Sequence, residues 1–294
     1  MSKILSFGEI IWDVFPDGDA VIGGAPLNFA AHAVKCGAEA FLFSAIGEDA
    51  LGEKAIHALQ NLGVKTDLIG KDALPTGRCI VTLKNGFPSY EVCRPAAYDR
   101  ILLNEETEMR INAEKFDAFC FGTLAAREQI SRHALQKTLE RCKFGSIFCD
   151  INLRPNCYDE ESVKLCFESA NLLKISEEEE PLLSAFSFYQ SVCPEGLKKQ
   201  INALFESYKN LSLVLFTKGE KGATIYKKDG TCVEIPPYPT QVESTVGAGD
   251  SFGAAFLTSY LGGASILEAG SLASRVSSFV VSKKEAVPSY RLPL

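Results

Sequence analysis

One stretch organises the chain, and it reads Ser244-Thr245-Val246-Gly247-Ala248-Gly249-Asp250-Ser251-Phe252-Gly253-Ala254-Ala255-Phe256-Leu257. Gly247 and Gly249 carry no Cβ, so backbone N–H groups here can approach a ligand closely. A helix that begins near Gly249 adds unpaired N–H groups and the positive end of its dipole, which favour an anion such as phosphate. Asp250 then suits a base that takes the proton of a hydroxyl attacking that phosphate. The alternative interpretation is ordinary capping of a helix N-terminus.

Two common nucleotide-binding patterns do not fit this stretch. The dinucleotide pattern Gly-x-Gly-x-x-Gly fails because the third glycine, Gly253, falls one position late. The P-loop pattern requires Gly-Lys followed by Ser or Thr, which the sequence does not contain. A nicotinamide oxidoreductase would share an α/β fold, but its fingerprint is absent.

The composition is typical of a soluble globular protein, with 46% apolar and 23% charged residues in 294. A net charge of −7 argues against a nucleic-acid or anionic membrane surface. No apolar run approaches the length of a membrane span, and the N-terminal residues lack a signal-peptide pattern. The ten cysteines include no Cys-x-x-Cys pair and are interpreted as buried reduced thiols. We therefore expect a cytoplasmic protein with neither nucleic acid nor membrane as partner.

The first third of the chain predicts a strand, a helix and a small β excursion. An apolar run over 3–11 predicts a strand that delivers Asp13 at its end. Pro26 and Gly37 mark the start and end of a helix over 27–36, which places Asn28 in the first turn. On local grounds Asn28 could equally be solvated, cap the helix or bind a ligand. A hairpin predicted within 76–93 interrupts the alternation of strands and helices.

The rest of the chain alternates predicted strands with helical segments. The strands are expected at 118–121, 146–151, 171–175 and 213–217. This alternation predicts a doubly wound, mostly parallel sheet with ligands at the carboxyl ends of its strands. Polar residues at those ends, including Arg154 and the acids at 177–180, should therefore lie near one another. The three histidines, His32, His57 and His133, form no catalytic or metal-binding set and are expected to be surface or half-buried residues.

Residues 23–30 read Gly23-Gly24-Ala25-Pro26-Leu27-Asn28-Phe29-Ala30, with Gly37 and Gly47 following. This run resembles the N-terminal signature of the ribokinase/PfkB carbohydrate kinase family, and residues 244–257 resemble its C-terminal signature. The resemblance extends over the whole chain. Within the family, the pattern Gly-Gly-Ala-Pro-x-Asn and the pattern Asp-x-Asn-x-Arg at Asp150, Asn152 and Arg154 most resemble fructokinases.

The resemblance implies a Rossmann-like, ribokinase-like α/β domain over 1–294, with a small β-sheet lid formed by about 14–21 and 76–94. It implies phosphoryl transfer from ATP with Mg²⁺ to a sugar, and often a homodimer. It also implies that Asp250 is the general base and that the N–H groups of Gly247, Ala248 and Gly249 form an anion hole.

Further site residues are expected from the resemblance and from the polar clusters. For the sugar these are Asp13, Gly24, Asn28 and Arg154, together with Tyr90 and Arg94 at the rim of the pocket. Tyr98 is expected at the same rim. For the nucleotide they are Thr217, Gly219 and Gly222. Glu179 matches the family's metal-positioning acid, acting through water, but Ser176 stands where the family has Asn. Lys284-Glu285-Ala286 stands where many relatives have Gly-Ala, which leaves a K⁺ requirement and the adenine pocket open.

Fructose is the expected substrate, and several alternatives remain at this point. The chain could instead phosphorylate 2-keto-3-deoxygluconate, ribose or a nucleoside. The residues at the pocket rim would select among these substrates. It could also be a sugar-binding regulator without catalytic activity, although an intact Gly-Ala-Gly-Asp speaks against that.

Overall fold

The structure, a computed structural model, describes residues 1–84, 87–183, 186 and 196–294. For residues 83, 84, 87–90 and 182 it describes the backbone alone. Its strands are β1 Lys3–Phe7, β2 Ile11–Val14, β3 Ala20–Gly23, β4 Glu39–Gly47, β5 Ile69–Asp72, β6 Gly77–Lys84, β7 Phe87–Val92, β8 Ala118–Phe121, β9 Ser146–Asp150, β10 Leu172–Ser176, β11 Leu213–Thr217, β12 Ala223–Lys227 and β13 Cys232–Ile235. Its α-helices are α1 Ala25–Lys35, α2 Ala50–Asn61, α3 Glu105–Glu114, α4 Gln129–Arg141, α5 Glu160–Ser169, α6 Glu180–Leu183, α7 Leu197–Ser207, α8 Ala248–Leu261 and α9 Ile266–Val281.

The larger sheet has the strand order β13-β12-β11-β10-β9-β8-β1-β4-β5. Strands β11 through β5 in this order are parallel, and only β12 and β13 pair antiparallel at one edge. Alternate residues of the central strands enter two different hydrophobic clusters: Leu5 and Phe119 pack on one face, and Ile4 and Ala118 pack on the other. The doubly wound, mostly parallel sheet predicted from the sequence is therefore confirmed.

The smaller sheet has the order β3-β2-β6-β7, with β2 and β6 parallel and the other pairs antiparallel. The prediction of one strand over 3–11 was wrong, because the chain leaves the large sheet after Phe7. Gly8 bends the backbone with φ +149°, and a Cβ there would lie 2.4 Å from Cγ of Pro26. Asp13 consequently lies within the small sheet and not at the end of the first strand.

Helices α1 and α8 pack against each other although they lie far apart in the sequence. Gly253 of α8 permits this approach, because a Cβ at that position would lie 3.2 Å from Phe29 of α1 and 3.1 Å from Phe148 of β9. The N-terminal turns of both helices carry residues of the candidate site. Among the residues that the structure describes, no helix is both long and apolar enough to cross a membrane.

Candidate active site

Asp250 lies in the first turn of α8, three residues after Gly247, the N-cap residue of the helix. Gly247 occupies the N-cap position with φ +79°, a left-handed conformation that favours glycine. A Cβ at Gly247 would also lie 2.5 Å from the carbonyl oxygen of Ala286, so a larger residue is excluded on two grounds. The N–H of Ala248 donates to the carbonyl of Thr245 at 3.2 Å, and the positive end of the α8 dipole lies beside the Asp250 carboxylate, an arrangement that suits an anion.

Asn28 reaches Asp250 from α1. Its Nδ2 donates a hydrogen bond of 2.8 Å to Oδ2 of Asp250, across 222 residues of sequence. The side chain of Asn28 is only 4% exposed, and its Oδ1 has no hydrogen-bond partner among the described residues. A buried amide oxygen without a partner is costly, and a ligand hydroxyl beside Asp250 would satisfy it. The structure therefore places Asn28 at the site, where the local sequence left its role open.

Burial raises the pKa of Asp250 to about 6. The hydrogen bond from Asn28 opposes this effect, as do the positive charges of Lys174 and Arg154, while the Asp150 carboxylate adds to it. A carboxylate with this pKa is ionised at neutral pH and is a stronger base than an ordinary aspartate. The electrostatics of the site thus suit proton abstraction.

A buried ion pair lies beneath the start of α8. Nζ of Lys174, on β10, donates to both carboxylate oxygens of Asp150, on β9, at 2.8 and 2.9 Å. The same Nζ lies 3.1 Å from the position that a Cβ on Gly249 would occupy. Burial lowers the pKa of Lys174, but the surrounding carboxylates, foremost that of Asp150, raise it above its ordinary value. A charged ammonium group therefore lies beneath the N-terminal turn of α8.

Glu179 joins the ends of two neighbouring strands. Its Oε1 accepts a hydrogen bond from the N–H of Leu153, and its Oε2 accepts one from the N–H of Ser176, both at 2.8 Å. The side chain is 9% exposed. These bonds give Glu179 a structural role that the sequence did not predict, and each oxygen keeps a second lone pair for water.

Sequence reasoning missed Glu9, which follows Gly8 between β1 and β2. Its carboxylate accepts a hydrogen bond of 3.0 Å from the N–H of Ala25 and is 3% exposed. Burial, with a contribution from the nearby Asp250 carboxylate, raises the pKa of Glu9 to about 7 against the effect of the hydrogen bonds from backbone N–H groups. A pocket lined by Glu9, Asp150, Asn152 and Asp250 opens beside the start of α1. The only signal in the sequence was an acid next to the glycine that ends the first strand.

Asp13 and Gly24, two of the residues predicted to bind the sugar, lie in the same region of the structure. Asp13 is half-buried, which raises its pKa, while Cys79 and Arg154 lower it. Gly24 has φ +114°, and a Cβ there would lie 2.5 Å from the backbone oxygen of Glu9. Arg154 is exposed, yet its charge lowers the pKa of Asp13, Glu9 and Asp250 alike. Arg154 therefore lies near all three carboxyl groups.

The residues expected at the pocket rim lie in different surroundings. Arg94 donates a hydrogen bond of 2.6 Å to the carbonyl of Asn156 and lies 3.5 Å from the Glu128 carboxylate. Tyr98 is fully buried, with the guanidinium of Arg127 4.8 Å from its ring centre, so the expectation that Tyr98 lines the pocket rim was wrong. The side chain of Tyr90 lies outside the described residues.

The predicted nucleotide residues follow strand β11. Thr217 ends the strand and is half-buried, and Gly219 has φ +55° with open space where a Cβ would point. Gly222 has a separate structural reason to be glycine, since a Cβ would lie 2.2 Å from the backbone oxygen of Ile235. An open surface thus remains at Gly219, while Gly222 is required by packing.

Solved structures with this architecture identify the class of fold. An uncharacterized sugar kinase of Pyrococcus horikoshii, solved in complex with ATP, matches with a TM-score of 0.79 and 27% identity over 97% of this chain and 94% of that one. A fructokinase of Xylella fastidiosa matches with a TM-score of 0.82 and 21% identity over 97% and 94%. The fold is therefore that of the ribokinase-like sugar kinases.

The sequence comparison narrows the class to one family. The model of the pfkB family carbohydrate kinases matches residues 4–291, so this chain belongs to that family. The Pyrococcus horikoshii sugar kinase is 30% identical in sequence over 96% of this chain and 91% of its own length. Fructokinase-2 of Solanum lycopersicum is 27% identical over 97% of this chain and 92% of its own. The resemblance noted in the two sequence signatures is confirmed.

Proposed function

We propose that this carbohydrate kinase uses ATP to phosphorylate a primary hydroxyl of a ketohexose, with fructose as its preferred sugar. The fructokinase relatives and the pattern Gly-Gly-Ala-Pro-x-Asn at the start of α1 support this choice of sugar. One observation carries the mechanism: Asp250 stands at the N-terminus of α8, held by Asn28, with a pKa raised to about 6.

In the proposed mechanism the sugar lies between Asp13, Gly24 and Asn28. The Asn28 Oδ1 that lacks a described partner accepts a hydrogen bond from one sugar hydroxyl, and Asp13 accepts another. Asp250 takes the proton of the reacting hydroxyl as its oxygen attacks the γ-phosphorus of ATP. The bond from phosphorus to the bridging oxygen breaks, and ADP leaves. The Asn28 amide keeps Oδ2 of Asp250 in position throughout.

The charge on the transferred group is held at the start of α8. Phosphoryl transfer places negative charge on the equatorial phosphate oxygens, so positioning and electrostatic stabilisation supply most of the catalysis. The N–H groups of Gly247 and Gly249 donate to these oxygens, and that of Ala248 does so in exchange for its hydrogen bond of 3.2 Å to the carbonyl of Thr245. Lys174 adds a positive charge below Gly249. Arg154 can reach the phosphate or the sugar from the exposed side.

Mg²⁺ bound with ATP would neutralise phosphate charge. No group of three or more His, Cys, Asp or Glu side chains in the described part of the chain has the spacing of a metal site. Phosphate oxygens and water would hold the ion, and the second lone pairs of Glu179 would orient that water. Thr217 and Gly219 are proposed to contact the nucleotide, with Gly219 presenting an open backbone.

The proposal includes a cytoplasmic homodimer. Val21 lies on the edge strand β3 of the small sheet and is 49% exposed, which suits pairing with a second copy. Light scattering during size-exclusion chromatography should give the mass of two chains, and a monomer at micromolar concentration would refute this part.

Coupled measurement of ADP release with Mg-ATP tests the function directly. The panel contains fructose, ribose, 2-keto-3-deoxygluconate, glucose and adenosine. We expect a fructose-dependent rate with kcat/KM well above the others. Turnover of another member would keep the mechanism and replace the sugar. No turnover, combined with thermal protection by a sugar, would instead favour a binding-only protein.

A further inference from the structure

His32 is fully buried, contrary to the expectation that it lies at or near the surface. It stands on α1 one turn after Asn28, so the two side chains share a face of the helix. His57 and His133 are exposed, as a histidine without a special role would be. Burying an imidazole requires partners for both ring nitrogens, and His32 has both.

The partners of His32 define its protonation. Nε2 lies 2.9 Å from the carbonyl oxygen of Ala286, which can only accept a hydrogen bond, so Nε2 carries the proton. Burial, opposed by the hydrogen bond to Ala286 and aided by the charge of Lys35, lowers the pKa of His32 to about 4, so the ring is neutral at physiological pH. Nδ1 therefore accepts the hydrogen bond of 2.8 Å from the hydroxyl of Tyr290. The two rings are nearly parallel, with centres 5.8 Å apart.

The carbonyl that His32 holds is the one that abuts Gly247. The oxygen of Ala286 lies 2.5 Å from the position of a Cβ on Gly247, the residue that begins α8. Helix α1 thus contacts the start of α8 by two routes. Asn28 contacts Asp250 directly, and His32 acts on Gly247 through the Ala286 carbonyl.

We propose that His32 is a positioning residue, which fixes the Ala286 carbonyl against Gly247 and thereby sets the N–H groups of 247–249 relative to Asp250. This inference rests on the proposed kinase mechanism, in which those N–H groups bind the transferred phosphoryl group. His32 touches neither sugar nor nucleotide in this scheme. Its loss should therefore lower kcat far more than it raises the KM for the sugar.

Three variants and one control test the proposal. His32→Leu removes both hydrogen bonds, and His32→Gln keeps an N–H donor for Ala286 at a similar reach. Tyr290→Phe removes only the bond to Nδ1. Leu59→Ala, in α2, is the control, because Leu59 is buried in the same hydrophobic cluster as Tyr290 but lies on a helix that carries none of the candidate site residues. All four are assayed at a temperature at which circular dichroism shows each to be folded.

We expect His32→Leu to lower kcat by about 10–100-fold with the sugar KM changed by less than about threefold, since small displacements of catalytic groups have effects of this size. His32→Gln should recover most of the rate, Tyr290→Phe should lie between the two, and Leu59→Ala should retain the wild-type rate. Hydrogen exchange of the peptide covering 245–250 should be faster in His32→Leu and unchanged in Leu59→Ala.

Two results would overturn the proposal. One is a kcat of His32→Leu within twofold of the wild type, or lowered no more than in Leu59→Ala. The other is unchanged hydrogen exchange at 245–250 in His32→Leu. The exchange measurement needs no substrate, so it decides the role of His32 even if the wild-type protein turns over no sugar of the panel, a result that would refute the proposed function alone.

Discussion

Replacing Lys174 by Met should shift the pH dependence of sugar phosphorylation towards higher pH. In the wild type, kcat/KM should fall below about pH 6, because Asp250 with a pKa of about 6 must be ionised to accept the proton. Lys174 lowers the pKa of Asp250, and Asp150, its partner at 2.8 Å, raises it. Removing the ammonium group therefore eliminates the lowering of the Asp250 pKa by Lys174 and leaves the raising of that pKa by Asp150.

The size of the shift follows from the position of Lys174 beneath Gly249. A nearby opposite charge lowers a carboxyl pKa by about 1–3, and we use the lower end because Asp150 shares the charge of Lys174. The midpoint of Lys174→Met should therefore lie near pH 7. At pH 6 its kcat/KM should be roughly a tenth of its own plateau, against roughly half in the wild type.

Two further variants make the experiment decisive. Asp150→Asn should move the midpoint in the opposite direction, to about pH 5. The double variant Lys174→Met with Asp150→Asn removes both charges and should return the midpoint close to that of the wild type. Initial rates between pH 4.5 and 9 give the midpoints, after circular dichroism confirms folding, because breaking a buried pair costs about 3–5 kcal/mol. Shifts of the same sign in both single variants would refute the reasoning.

Three other predictions concern single carboxyl groups. Asp250→Asn should lower kcat by ~10²–10⁴-fold while calorimetry still detects sugar binding; near-wild-type turnover would remove Asp250 from the mechanism. Asp13→Ala should raise the sugar KM much more than it changes kcat, since an acceptor for hydroxyls is lost, and an unchanged KM would contradict this role. Glu9→Gln should stabilise the fold at pH 8 and leave it unchanged at pH 4. The pKa of Glu9 rises from 4.5 to about 7 on folding, so the stability that its neutral form provides is complete below pH 4.5 and is lost as the pH rises through 7. Gln stays neutral and keeps an acceptor for the N–H of Ala25, so urea unfolding at pH 8 should show a gain of up to about 3 kcal/mol; equal pH trends in both proteins would be the contrary result.

The sequence predicted the large sheet well, because its strands are apolar runs punctuated by Gly, Pro and polar clusters. Strand β11, for example, was expected at 213–217 and extends over Leu213–Thr217. The prediction failed at Gly8-Glu9, a short polar interruption of the largely apolar run over 3–11. Gly8 turns the backbone beside Pro26, and this contact divides the run between two sheets. Such a contact between distant residues has no signature in local periodicity.

The candidate site was predictable from the sequence only where the residue types and their spacing indicate a chemical role. The glycines at 247 and 249 and the adjacent Asp250 predicted an anion site with a base, with helix capping as the alternative. Glu9, Lys174 and His32 gave no such signal, because their roles depend on burial and on partners in other elements of the fold. Tyr98 shows the opposite error, since an aromatic residue near the hairpin proved to be core.

The contacts that α1 makes with the C-terminal part of the chain have a consequence for biosynthesis. Asn28 and Asp250 are 222 residues apart, and His32 and Tyr290 are 258 apart. At a translation rate of about 5–20 residues per second, α1 emerges roughly 10–50 s before its partners are made. During that interval the polar face with Asn28 and His32 has only water or a chaperone to bind. The ability to bind phosphate beside Asp250 should therefore be among the last properties that a nascent chain acquires.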